Sequence, residues 1–135
     1  MTPAAKAFLL LRLGIGTSCF GHGLVRLPKL DKFSHGVIAE FQHSIIPEAL
    51  VTAFAYALPF AELIIGLLIL LGFFTRHALV AGAVMMILLI FGTTTIEQWN
   101  ILDTQLVHLL FFAGLLPFVD QYNTWALDKR IRRAR

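Results

Sequence analysis

Between Ala49 and Phe74 the chain carries one charged residue, Glu62, in a run otherwise dominated by Ala, Leu, Ile, Phe and Gly. A helix of about 20 apolar residues is enough to cross the hydrocarbon core of a bilayer, and this run exceeds that length. Inside lipid each backbone polar group must be satisfied within the protein, which leaves helices and closed barrels. The run lacks the dyad alternation of a barrel strand, so it is predicted to be a membrane-spanning helix. Three further stretches meet the same test, giving predicted spans at 4–27, 49–74, 77–96 and 101–119.

Composition agrees. The chain is 58% hydrophobic and 14% charged, with a mean hydropathy of +0.79, against about 25% charged residues in an average soluble domain. The expected fold is all-α, an integral membrane four-helix bundle forming a single transmembrane domain, followed by a basic tail at 120–135. Lys6 precedes the first apolar run as in a signal peptide, but Arg12 interrupts that run and no small-residue cleavage pattern follows it, so it is read as the first span. Cys19 is the one cysteine, which excludes a disulfide framework within the chain and a C-x-x-C redox pair.

An even number of spans places Lys6, Arg76 and the basic cluster Lys129, Arg130, Arg132, Arg133 and Arg135 on one face. The opposite face mixes Arg26, Lys29 and Lys32 with Asp31, Glu40, Glu48, Glu97 and Asp103. By the positive-inside rule both termini are expected in the cytoplasm, and the basic tail is read as a topology signal beside anionic lipid, with no nucleic-acid partner. Trp99 on the outer side and Tyr122 and Trp125 on the inner side fit the aromatic belts of the two interfaces. The long connection from Pro28 to Pro47 spaces Phe33, Val37 and Phe41 at i, i+4 and i+8, which predicts a short amphipathic helix in the outer loop, lying on the membrane surface.

A charge centred in lipid costs about 2.5–3.5 kcal/mol on insertion scales, so the ionisable groups of the spans should gather inside the bundle. On a helical wheel Arg12, Gly16, Cys19, Gly23 and Arg26 share one narrow arc of the first helix, and Glu48, Thr52, Ala55, Pro59, Glu62 and Gly66 share one of the second. These stripes are expected to face each other. Counting inward from the cytoplasmic ends leaves Arg12 and Glu62 about 9 Å apart in depth, a gap that a long side chain and helix tilt can close. An Arg12–Glu62 ion pair is expected, with proton uptake at Glu62 as the functional alternative.

A second cluster is expected nearer the outer face. His22 and Arg26 lie one turn apart on the first helix, His108 enters the fourth span at comparable depth, and Glu97 ends the third at that level. Two imidazoles, a guanidinium and a carboxylate suit the carbonyl oxygens of a quinone headgroup or a small oxyanion, with His able to pass a proton near neutral pH. The plainer reading has Arg26 reaching to the headgroups and each His making one interhelical hydrogen bond. Bis-imidazole haem ligation finds no second matching pair or attachment motif, and no zinc-type spacing links the histidines.

The run His22-Gly23-Leu24-Val25-Arg26-Leu27, followed by Glu62-Leu63-Ile64-Ile65-Gly66 through Gly72-Phe73-Phe74-Thr75-Arg76, resembles the DoxX/DoxD family of small four-helix proteins. The resemblance implies a bacterial inner-membrane protein, in some members the membrane subunit of a thiosulfate:quinone oxidoreductase and in others an accessory to redox or stress-response complexes. Arg26 stands where the family usually has Lys, which keeps the charge and changes the donor geometry. The expected function is a quinone-linked redox membrane subunit, working with a partner redox protein or as a homo-oligomer. The alternatives are a non-catalytic scaffold or assembly subunit, a small-solute transporter, or a haem-binding protein.

Overall fold

The computed structural model describes residues 1–133, with side chains through Ile131. Arg132, Arg133 and Arg135 of the basic cluster therefore lie outside the described side chains. Among the described residues, seven α-helices run in the order α1 (Pro3–Arg26), α2 (Leu30–Glu40), α3 (Glu48–Leu71), α4 (Thr75–Thr95), α5 (Trp99–Leu115), α6 (Val119–Tyr122) and α7 (Leu127–Arg133). Four of the helical segments are long and apolar enough to cross a membrane, and the chain is an all-α multi-pass membrane bundle. The segment containing α1 continues through a 3-10 turn at Leu27–Lys29 into α2, and a second such turn at Leu116–Phe118 links α5 to α6.

Local chemistry sets the helix ends. Pro3 sits in the first turn of α1, where its missing N–H is no loss, and the Thr2 hydroxyl accepts from Ala5 N. Helix α3 ends on Gly72, whose φ of 64° is left-handed. There Gly72 N donates to Ile69 O and Phe73 N to Leu68 O, the paired bonds of a Schellman cap. No nearby side chain caps α4. Asp128, from the far end of the chain, accepts from Phe74 N at 2.8 Å and Thr75 N at 2.9 Å.

Helices α1 and α3 form the tightest pair, and the facing small-residue stripes explain it. A Cβ on Gly23 would lie 2.5 Å from Leu63 N and 2.7 Å from Pro59 O, and one on Gly66 would collide with the Phe20 backbone. Backbones approach this closely only where side chains are absent, the usual device of helix pairs in lipid. On the other side of the bundle Gly82 of α4 receives the ring of Phe112 from α5. Ile69, Leu79 and Phe112 are fully buried at the centre, while Leu10, Leu24, Ile64, Val84, Leu88 and Leu110 face outward. That inversion is what a lipid solvent rewards.

The expected outer-loop helix is present as α2, but its apolar stripe does not turn to a membrane surface. Phe33, Val37 and Phe41 cover a cavity inside the bundle, and α2 packs on α3. At this end Tyr56 of α3 donates its hydroxyl to Asp31 of α2 at 3.0 Å.

Candidate functional site

The intramembrane charges form two separate constellations, one at each end of the α1–α3 seam. The Arg12–Glu62 pair expected from depth is not formed. Glu62 instead accepts from Arg26, whose Nη1 lies 2.6 Å from Oε1 and 2.7 Å from Oε2. Cys19 sits level with Glu62, its thiol 3.3 Å from the Glu62 carbonyl. Since Cys19 is midway between Arg12 and Arg26 in the chain, both arginines start about equally far from the carboxylate. Two contacts decide between them. The ring of Phe33 lies 4.7 Å beneath the Arg26 guanidinium and turns it into the bundle. Arg12 is held elsewhere, donating to Asn123 Oδ1 at 2.6 Å and to the Trp125 carbonyl at 2.8 Å.

Arg12 thus belongs to a structural knot at the end of the bundle that carries the α3–α4 turn. Asn123 receives Arg12 and donates to the Thr75 hydroxyl at 3.0 Å. Asp128 N donates to Gly72 O at 3.0 Å while its carboxylate caps α4. Arg76 pairs with Asp120. The Gly72-x-x-Thr75-Arg76 motif is therefore a socket for the segment after α5. Gly72 turns the chain, Thr75 and the α4 N-terminus hold Asn123 and Asp128, and Arg76 pins Asp120.

The second constellation lines an open-mouthed cavity of about 600 Å³ bordered by α1, α2, α3, α4 and α5 at the opposite end. Its walls are mostly apolar, with Phe33, Phe41, Phe54, Leu58, Met86 and Phe91 contributing, and its polar groups include His22, Arg26, Glu62, Gln105 and His108. The volume and the pattern of a few polar atoms on apolar walls are those of a small-molecule site.

The histidines meet as expected from depth, their ring centroids 6.1 Å apart and edge to face. Each Nδ1 lies against a backbone carbonyl one turn back, His22 on Ser18 O at 2.8 Å and His108 on Thr104 O at 2.7 Å. A carbonyl oxygen only accepts, so each Nδ1 carries a proton, and a ring in its neutral form offers its lone pair at Nε2. For His108 that lone pair is taken by the Ser18 hydroxyl at 2.9 Å. The Nε2 of His22 has no protein partner among the described residues, and His22 is one of the residues lining the cavity.

Glu97 does not join this cluster. Helix α4 stops at Thr95, and Glu97 beyond it takes a left-handed φ of 56° and is exposed, outside the cavity lining. The adjacent Gln98 lines the cavity in its place. Three contributors escaped the sequence reading. Ser18 bonds His108, and Thr93 receives Gln105 Nε2 at 2.8 Å, while Gln105 Oε1 is buried without a partner. Each is a polar residue inside an apolar span, and that was the available signal. No group of three or more His, Cys, Asp or Glu side chains arranged to hold a metal ion occurs among the described residues.

A family model described as DoxX matches residues 7–95, and the chain belongs to the DoxX family. The match spans α1 to α4 and includes Arg12, His22, Arg26, Glu62 and Thr93, while Gln105, His108, Asn123 and Asp128 lie beyond it. No curated protein and no solved structure matches the chain.

Proposed function

We propose that this DoxX family member binds a quinone headgroup in the cavity beneath α2 and serves as the membrane subunit of a quinone-linked redox system. The observation that carries the reading is the cavity itself, about 600 Å³ of aromatic and aliphatic wall with Arg26, Glu62 and His22 contributing to its lining. A quinone ring is planar and apolar apart from two oxygens, and it reaches such a site from within the bilayer. Arg26 commits one guanidinium nitrogen, Nη1, to both Glu62 oxygens and keeps the N–H donors of Nη2 and Nε for a ring oxygen.

Other occupants fit less well. A small oxyanion would meet the Glu62 carboxylate together with a guanidinium whose charge is already balanced, against mostly apolar walls. Haem ligation would require His108 Nε2 to give up Ser18. A scaffold or assembly role leaves the cavity unexplained. The chain carries no flavin fingerprint and no iron–sulfur cysteine set, so electrons would come from a partner redox protein. By the charge rule, the end with Lys6, Arg76, Lys129 and Arg130 would be cytoplasmic, which puts the cavity toward the outer leaflet of a bacterial inner membrane.

The test is titration of the purified protein in detergent with decylubiquinone. Saturable binding at one site per chain is expected. It should be lost in Thr104→Trp, which fills the cavity from a position exposed on α5 and therefore leaves the fold intact. Uptake that rises linearly, as for simple partition, and equally in both proteins would refute the reading.

A further inference from the structure

We infer that a polar pocket at the C-terminal end of α3 holds the phosphate headgroup of an anionic phospholipid, whose acyl chains lie along the outer face of α3. The pocket has a volume of about 360 Å³ and lies between Leu71 and the segment 124–130, at the end of the bundle away from the cavity beneath α2. Its lining is more polar than apolar and includes Lys129 and Arg130 but no acidic residue. Both carboxylates of this end are engaged elsewhere. Asp128 caps α4 through Phe74 N and Thr75 N, and Asp120 pairs with Arg76. Lys129 and Arg130 have no side-chain hydrogen bond or ion pair among the described residues, so the pocket presents two cations without a counter-charge. Trp125, 67% exposed, completes the wall, and such rings prefer the headgroup level of a bilayer.

The surface leading to the pocket points to the same occupant independently of charge. Phe60, Ile64, Leu67 and Leu71 follow one another at i, i+4, i+7 and i+11, which places them in a single stripe of α3, and all four are exposed. From Phe60 to Leu71 the stripe rises about 16 Å, close to the hydrocarbon depth of one leaflet, about 15 Å. Leu71, at its end, is part of the pocket wall. An anionic lipid therefore meets complementary surface at both ends, its phosphate on Lys129 and Arg130 and its chains on the stripe. A soluble phosphate compound would use only the basic half. A zwitterionic lipid would bring its own cation to two others.

The test uses the full chain carrying Trp99→Phe, which leaves Trp125 as the one tryptophan, reconstituted in phosphatidylcholine vesicles. Quenching of Trp125 by dibrominated phosphatidylglycerol is compared with quenching by dibrominated phosphatidylcholine. Half-maximal quenching is expected at a fraction of the anionic lipid about fivefold lower, the attraction of one fully placed basic side chain shared between two that are partly solvated. Lys129→Gln should lower that preference, and adding Arg130→Gln should bring the two lipids level. Lys6→Gln removes a charge from the same end outside the pocket and should leave the preference unchanged. An excess of sn-glycerol 3-phosphate should not displace the brominated lipid. Equal quenching by the two lipids overturns the inference, and that comparison needs no change in the pocket. A loss in Lys6→Gln as large as in Lys129→Gln also overturns it, since that is the mark of a diffuse surface potential. Displacement by glycerol phosphate overturns it in favour of a site for soluble phosphates.

Discussion

Arg26 meets Glu62 end-on, one guanidinium nitrogen serving both carboxylate oxygens at 2.6 and 2.7 Å. The carboxylate side chain is 5% exposed and the guanidinium side chain 26%. The bond ties the last turn of α1 to the middle of α3, and α2 closes over it through Phe33. Because Glu62 is buried among apolar groups, the pair is worth more as a pair than as two residues.

Removing one partner should be costly and removing both should be mild. Arg26→Met or Glu62→Leu alone strands a charge, and losses toward the lower end of about 3–5 kcal/mol are expected since Arg26 is partly exposed. The double variant should lose less than either single variant, measured as denaturant or thermal unfolding in detergent. Arg12→Met with Glu62→Leu should instead be additive within about 0.5 kcal/mol, because the two share no partner. Strong coupling of Arg12 to Glu62 would contradict the assigned pairing.

The spans and the two facing stripes were legible because lipid imposes a simple rule on composition and because periodicity places Gly16, Cys19, Gly23, Pro59, Glu62 and Gly66 without knowledge of the rest. Partner choice was not legible. Arg12 and Arg26 flank the level of Glu62 evenly, and what separates them is Phe33 on one side and Asn123 with the Trp125 carbonyl on the other. The last two come from a segment after the spans, where hydropathy carries no depth information. Glu97 was misplaced for a related reason: a single left-handed residue past the end of a helix redirects the chain without altering the helical pattern before it. The meeting of His22 and His108 needed depth alone, and depth is what span boundaries encode.

The segment after α5 is held by Arg12 of α1 and by the α3–α4 turn, and Asp128 is its clasp on that turn. Asp128→Ala removes both caps on α4, at 2.8 and 2.9 Å. A lost cap is worth about 1 kcal/mol, so tryptic cleavage after Lys129 or Arg130 should accelerate about fivefold under conditions where cutting follows the opened population. An unchanged cleavage rate would show that the socket does not hold the segment.

Glycines divide by what surrounds them. Gly23→Ala and Gly66→Ala both drive a methyl group into the opposing backbone of the α1–α3 seam, which cannot yield without separating the helices. Losses of about 1–3 kcal/mol are expected from such overpacking. Gly14, Gly21 and Gly114 have open space where a Cβ would go. Alanine there should be neutral or stabilising by up to about 1 kcal/mol, through helix propensity. Equal effects at the two groups would mean that the seam is looser than the geometry requires.

The tautomers of the two cavity histidines can be read directly. Since Ser18 O and Thr104 O accept from the Nδ1 atoms, nitrogen-15 spectra of His22 and His108 at a pH where both rings are neutral should show pyrrole-type Nδ1 and pyridine-type Nε2 for each. Ser18→Ala removes the hydroxyl donor from His108 Nε2 while leaving the backbone carbonyl that holds His22, so the Nε2 resonance of His108 should shift and that of His22 should move far less. A donor ligand in the cavity should reverse the pattern, shifting His22 Nε2 while His108 stays with Ser18. If His22 instead carried its proton on Nε2, Nδ1 would have nothing to give Ser18 O, and the hydrogen bond assigned at 2.8 Å would be refuted.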